Sequence, residues 1–595
     1  MSAIFGGLGH YDKSLGQDMA VRLAHRGMES NIEAVSRDVF FGSIASDANT
    51  TLARIDGFTC SGDIEIYNAV ELVGLLTLDK SEFTNPAELL LTIYLKHGMD
   101  GLNKINGQFS FSIWNESKRQ LVLGRDYTGT YPLYYVTPPD GSLLFASEYK
   151  ALLCHPGLKR TPDLDMIQRL QHYKHLPSTR TLLKEVTAVP PGTLLVFDDK
   201  AGLLNKYQFP PLSLNVRYSS VDDASQAIER AFLEATKLRT RGKENIGIAL
   251  SGGIDSIGVS CASQQSNPDA TIYTYTAGSD RDDPEIKTAE YVAEKIGSIH
   301  KNVIVTPDDL LESVPGLVWH LENPIARTEA LQFYKIGQAA GGEVDTLVTG
   351  AAADGLFAGM PKHKLLLLMH YLPFLKRPLA EFYTLTQSGL KPETLLGQLL
   401  DRLYFKNKLP DVPIVKGSEY RPEVQTFPRN SKEFVNEVLC RGFQEGVAQW
   451  LPKIERTLQS KAVNYASPFL DRDFIELAFA TPSKYKIMKG KEKFVLRHAL
   501  RRMVPAELLQ IPKFPMRMKY DNAFSDTIDA LAGKALSKER VEQRGFFAYE
   551  ELKKLQNRPS NQPYTSEAAM RIWTAALTEI WATTFIDNSG EAPVL

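Results

Sequence analysis

The segment IGIALSGGIDS, residues 246–256, constrains this chain more than any other stretch of its 595 residues. An apolar run of strand length ends in Ser251, Gly252 and Gly253, and Ile254, Asp255 and Ser256 then open a helix. Two adjacent glycines let backbone N–H groups approach an anion closely, and the helix start adds a partial positive charge. Asp255 supplies a carboxylate that can help hold a magnesium ion on the same phosphates. A bare Ser-Gly-Gly is a common turn. In this strand-to-helix context it reads as a pyrophosphate loop made of Leu250, Ser251, Gly252, Gly253, Asp255 and Ser256. Chemistry at such a loop splits ATP between the α and β phosphates, releasing pyrophosphate and leaving AMP on the substrate. The GxxxxGK[ST] loop is absent, which disfavours kinase-like or motor chemistry.

The sequence around the loop sets the fold class. NIGIALSGG, ATIYTYTAG and DTLVTGAAAD are apolar runs separated by helical stretches, the pattern of a doubly wound parallel sheet covered on both faces. Its ligand site belongs at the carboxyl ends of the strands. SSVDDASQAIERAFLEATKL, just before, opens on a Ser/Asp helix start. The first third differs. FFGSIAS, GQFSFSIWN, RQLVLGRD, YPLYYV and GSLLFASE alternate apolar and polar residues between turns such as PPDG, as strands of antiparallel sheets do. Near residues 205–220 the Pro- and Ser-containing QFPPLSLNVRYSS reads as a linker. The expectation is two α/β domains, at 1–210 and 211–595. A helical elaboration over about 365–460, interrupted by KLPDVPIVKG, would wall the substrate pocket.

Composition removes several function classes. Lys+Arg is 68 against Asp+Glu 70, a net charge of −2, so no nucleic-acid partner is expected. The longest apolar run, residues 365–375, is too short to span a bilayer. The start, MSAIFGGLGHYDK, has no charged region leading into a long apolar stretch, so neither a signal peptide nor a membrane is expected. Cys60, Cys154, Cys261 and Cys440 lie far apart with no CxxC. They read as reduced residues of a cytoplasmic protein.

Taken together, the motifs resemble the long form of the glutamine-dependent asparagine synthetase family. MSAIFGG is similar to that family's MCGIFG start, HRGMES to its RGPD segment and SGDIEIYN to NGEIYN. INGQFSFSIWN, GRDYTGTYPLYY, FASEYKALL and VPPGTLL follow in family order. So do PEIKTAEYVAEKIGSIH, LVTGAAADGLFAG, SPFLDRDFIELA and KEKFVLRHALRR, to about residue 525. The resemblance implies an Ntn-hydrolase-like αββα glutaminase domain followed by an ATP-pyrophosphatase domain. There ATP and Mg2+ serve to adenylate a carboxylate that an amine then captures. By position, Asp255 and Asp354 would bind magnesium pyrophosphate, with Gly350 and Lys493 at the pyrophosphate. Arg497 completes a basic pair with Lys493. Lys513, in QIPKFP, would stabilise the adenylation transition state.

The departures from the family are as informative. Ser2 stands where the family glutaminase has its nucleophilic Cys, and a thiolate is the better nucleophile near neutral pH. Asp63-Ile64 replaces the Asn-Gly oxyanion donors, and a carboxylate at Asp63 would repel the oxyanion. Arg54 and Glu65 remain at the substrate-glutamine positions. In the second domain Ala351 replaces a Glu that helps set up amine attack, and Asn464-Tyr465-Ala466 replaces Glu-x-Arg.

A silent glutaminase with ATP residues kept resembles the β-lactam and carbapenam synthetase branch, and lasso-peptide macrolactam synthetases form a second one. The branch's catalytic Tyr would stand at Ala351, so Tyr465 is the candidate phenol, against a packing role. His363 is a candidate base against a surface role. The implied activity is amide-bond formation, foremost lactam closure in a specialised biosynthetic pathway. Macrolactam closure, use of ammonia or a separate amine, and a non-catalytic scaffold are the alternatives. The expected partner is a small-molecule or peptide carboxylate that carries an amine, and a homodimer is open as the assembly.

Overall fold

The computed structural model describes residues 2–592, apart from 10–12, 47–50, 80–82, 326–327, 389–393, 396–398, 400–413, 422–426, 428–432, 512–520 and 560. Two six-stranded sheets form the amino-terminal part. In the first, Ser2–Leu8 lies antiparallel between Val39–Ala45 and Leu143–Ala146. In the second, Phe58–Ile66 pairs with Gly107–Asn115, then come Gln120–Arg125, Thr193–Phe197 and Leu203–Gln208. Period-2 alternation explains the layering. Ile4, Leu8, Phe41, Trp114, Leu123 and Phe145 fill the space between the sheets. Phe5 and Phe40 turn outward onto the helix Lys13–Leu23. Phe109, Phe111 and Ile113 turn onto the helix Pro86–Leu102. This is the expected αββα sandwich. The linker begins later than expected: Leu203–Gln208 is an edge strand, since its backbone pairs with Thr193–Phe197 although its side chains are exposed.

The second part is built on a five-stranded parallel sheet. Its order is Ile299–Ile304, Thr271–Gly278, Asn245–Ala249, Thr346–Val348 and Asn464–Ala466. Chain order reverses between Asn245–Ala249 and Thr346–Val348, the topological switch point where open α/β sheets bind ligands. The loops 250–253 and 349–352 leave from those two strands. Within the helical stretch expected near 365–460, His363–Tyr371, Lys376–Ser388 and Phe434–Gln459 are described helices. Among the described residues no helix is long and apolar enough to cross a membrane.

Candidate active site

Leu250 is tied to the neighbouring strand: its N–H donates to Tyr275 O at 2.9 Å and its carbonyl accepts from Thr276 Oγ1 at 2.7 Å. Beyond it Ser256 folds the loop onto itself. The Ser256 hydroxyl accepts the Ser251 N–H at 3.0 Å and lies 2.9 Å from Ser251 O. Gly253 N–H donates to Ser251 Oγ at 3.2 Å, and the helix Ile254–Ser266 starts immediately after. The turn thus presents a helix amino terminus at the switch point, which suits phosphate. Gly350, from the second loop, passes so near that a Cβ there would sit 2.8 Å from Asp255 Cβ. Glycine is required by that approach.

Asp255 and Asp354 converge on one cation. Lys493 Nζ lies 2.5 Å from Asp354 Oδ1 and contacts Asp255 Oδ2 more closely still. Burial works against the Lys493 ammonium, but the two carboxylates outweigh it and hold its pKa above the ordinary lysine value. Gly359 makes room for this bridge, since a Cβ there would meet Lys493 Cε at 2.0 Å. Sequence reasoning missed that role, though Gly359 ends the quoted ADGLFAG run. Asp255 Oδ1 is buried and unpartnered. No cluster of three metal-suited side chains occurs among the described residues. Two carboxylates, one with an open oxygen, beside a helix start suit magnesium only together with phosphate oxygens, its usual mode with nucleotides. The residues present therefore fit a magnesium–phosphate group.

Three non-glycine residues hold left-handed backbone here: Ala352 at φ 78°, Ala358 at φ 54° and Lys493 at φ 54°. Such conformations persist only where their surroundings enforce them. The loop carrying Ala351 is pinned from below, its N–H donating to Thr349 Oγ1 at 3.2 Å and its carbonyl accepting from Ser467 Oγ at 3.0 Å. Tyr465 belongs to this support. It pairs in the sheet with Leu347 and is fully buried, with its hydroxyl 3.4 Å from Thr349 Oγ1. Burial raises its pKa, so the phenol stays protonated and braces the loop. His363 is not at the surface, as expected of it, but buried: its Nδ1 accepts the Met360 N–H at 3.3 Å, and burial lowers it to about 4. The helix Phe494–Leu500 turns Arg497 away to donate to Leu509 O at 3.3 Å. Lys513 lies outside the described residues.

At the other candidate centre, Ser2 Oγ donates to Asp63 Oδ1 at 2.5 Å. Arg26 fixes Asp63 from behind, with Nη2 3.6 Å from Oδ2. Burial pushes the Asp63 carboxyl up, and the Arg26 guanidinium and the Ser2 hydroxyl hold it back. Arg54 faces Glu33 at 2.5 Å, and Glu65 accepts from Tyr67 and Tyr131 hydroxyls at 3.2 and 3.3 Å. These two are occupied by neighbours within their own domain.

Comparison with known proteins agrees with this geometry. Residues 1–208 match the glutamine amidotransferase domain family. Asparagine synthetase [glutamine-hydrolyzing] 1 of Bacillus subtilis is 25% identical over 482 residues, covering 77% of this chain and 75% of that protein. A putative asparagine synthetase [glutamine-hydrolyzing] of Mycobacterium tuberculosis is 26% identical over 560 residues, covering 88% and 84%. The Amidase chyE of Penicillium rubens is 26% identical over 316 residues, covering 50% and 46%. The asparagine synthase family itself matches residues 227–583, which takes in the whole parallel sheet and both loops at its switch point. The chain therefore belongs to the asparagine synthase family, whose members are ATP-dependent carbon–nitrogen ligases.

Proposed function

We propose that the protein activates a substrate carboxylate with ATP and passes the acyl group to an amine of the same substrate, closing a lactam. The observation that carries this reading is the hydrogen bond from Ser2 to Asp63. That bond shows Asp63 acting as an acceptor, and an acceptor in the donor position does not hold the oxyanion that glutamine hydrolysis needs. The amine then has to come with the substrate. Ala351 supports the same conclusion: a methyl offers no base, so capture relies on an amine already held close.

In the first step a carboxylate oxygen attacks the α phosphorus, the bond from that phosphorus to the bridging oxygen breaks, and pyrophosphate leaves. The helix start at Gly253–Ile254 and the Lys493 ammonium face the charge that builds on the phosphates. Magnesium, held by Asp255 and Asp354 with phosphate oxygens, would neutralise part of it. In the second step the amine nitrogen attacks the acyl carbon, the carbon–oxygen bond to AMP breaks, and one amine proton passes to solvent. Thr349 and Ser467 keep the Ala351 backbone in place beside this chemistry.

The test is pyrophosphate release from ATP, screened against carboxylates that carry an amine, with mass spectrometry of the product. AMP and pyrophosphate in equal amounts, and a product lighter than its substrate by one water, are expected, unchanged by Ser2→Ala. ADP and phosphate would refute the loop assignment. Glutamate released steadily from glutamine, and lost in Ser2→Ala, would refute the silent first site.

A further inference from the structure

Away from the phosphate loop, none of whose residues lines it, a small cleft of about 70 Å³ opens on the seam between the two domains. Arg125, Tyr134 and the segment 176–180 line it from the amino-terminal side; Leu321, Asn323 and one face of the helix Phe434–Gln459 line it from the other. Four of its lining residues are cationic, Arg125, Arg180, Lys453 and Arg456, and no carboxylate is among them. Asp163 and Glu322 meet Arg180 and Arg456 from outside that lining.

One of these cations is buried at a cost that its protein partners do not remove. Arg125 is 2% exposed and gives its N–H groups to the carbonyls of Tyr131, Val189 and Gly129 at 2.9, 2.9 and 2.5 Å. Carbonyl dipoles satisfy its hydrogen bonds and leave the charge uncancelled, and a desolvated charge favours a counter-ion. Arg456 is 3% exposed and its Nε is buried without a partner, as is Asn323 Oδ1. Arg180 and Lys453 are the more accessible pair. Leu176, Pro177, Ala188 and Pro452 supply apolar walls between the cations.

We propose that this seam cleft binds a small oxyanion-bearing ligand, a di- or tricarboxylate or a phosphate compound, at a site separate from the ATP loop. Arg180 and Lys453 contact its acidic groups directly, while Arg125 supplies the field behind them. Because the walls come from both domains, the ligand also ties them together.

The experiment titrates citrate, and separately inorganic phosphate, at constant ionic strength against the full-length protein and the Arg180→Gln/Lys453→Gln double variant. Thermal midpoint and calorimetric binding are read in parallel. A saturable rise in midpoint with the intact protein, affinity at least tenfold weaker in the double variant, and recovery in Arg180→Lys/Lys453→Arg are expected. Which anion binds tighter assigns carboxylate or phosphate chemistry. Phosphate binding at the ATP loop would be the same in all three proteins, so equal titrations overturn the proposal, as does no saturable effect of either anion. Pyrophosphate release without added anion should stay within twofold in the double variant, so a failed ligase assay and a failed binding assay remain distinguishable.

Discussion

Lys493 offers the sharpest test of the site. Lys493→Met keeps the aliphatic stem and removes the charge that joins Asp255 to Asp354. The lysine is 3% exposed and the Asp255 side chain 13%, whereas the Asp354 side chain, at 36%, is partly screened by water. Breaking a buried pair costs about 3–5 kcal/mol, because one charge is left uncompensated. With one of the two partners screened, the lower end applies, about 3 kcal/mol. Urea unfolding of the full chain, followed by fluorescence, should therefore show a transition shifted down by about 1–3 M at ordinary slopes. Two domains need not unfold together, so the second domain's transition is the one to compare. Magnesium separates this account from simple loss of packing. In the native protein Lys493 competes with a divalent cation for the two carboxylates; in Lys493→Met it does not. Millimolar Mg2+ given together with pyrophosphate should stabilise the variant by more than it stabilises the native protein. A shift under about 0.5 kcal/mol would sink the account, as would strict additivity of Asp255→Asn with Lys493→Met in a double-mutant cycle.

Three further outcomes follow from the same geometry. Asp255→Asn should lower pyrophosphate release by orders of magnitude while circular dichroism stays native, because a charged phosphate-side ligand is lost while Asp354 still pairs with Lys493. Gly350→Ala places a methyl 2.8 Å from Asp255 Cβ, so it should cost about 1–3 kcal/mol by overpacking and reduce pyrophosphate release further by moving the loop. Glu455 is pushed by burial up to about 7, against the pull of Arg26, from an ordinary 4.5. Its folded form keeps a proton that the unfolded form gives up, so its contribution is full below pH 4.5 and is lost as pH rises through 7. Glu455→Gln should flatten the fall in stability over that window; an unchanged pH profile would refute the assignment.

Much of this architecture is legible in the sequence because its signals are local. The loop 250–256 is announced by a strand, two glycines and a helix start within eleven residues, and the sandwich strands by strict alternation. What escapes is what the fold brings together from a distance. Ile299–Ile304 reads as IHKNVI, too polar to signal a strand, because it is the exposed edge of the sheet. Asn464–Ala466 is three residues long, and only pairing with Thr346–Val348 makes it a strand. Lys493 carries a family position in the sequence, but its bridge between two aspartates exists only once Gly359 vacates the space. Tyr465 is the converse case, open in the sequence between a catalytic and a packing role. A phenol beside a lost acid invites a catalytic role, and the register that buries it behind Thr349 cannot be read from composition.

The seam between the domains shows why the amino-terminal half stays attached whatever Ser2 does. Arg26 is fully buried and touches three carboxylates: Asp63 at 3.6 Å, Glu148 at 3.5 Å, and Glu455 at 2.8 Å from the other domain. Arg456, the next residue on that helix, donates to Ser147 O and pairs with Glu322 at 3.0 Å. Asp471 accepts from Asn106 at 2.5 Å and from Arg239 at 2.9 Å while its other oxygen caps the helix Arg472–Ala480. Separating the domains would break the Arg26–Glu455 pair and the hydrogen bonds from Asn106 to Asp471 and from Arg456 to Ser147, while the other pairs stay within one domain. A nucleophile can be exchanged for Ser2 with no such penalty, since a hydroxyl still finds a partner in Asp63. The Asp63 carboxylate that accepts from Ser2 is at the same time a counter-ion for Arg26. The helix Phe434–Gln459 that leads to Asn464–Ala466 is held to the amino-terminal domain by Glu455 on that same Arg26.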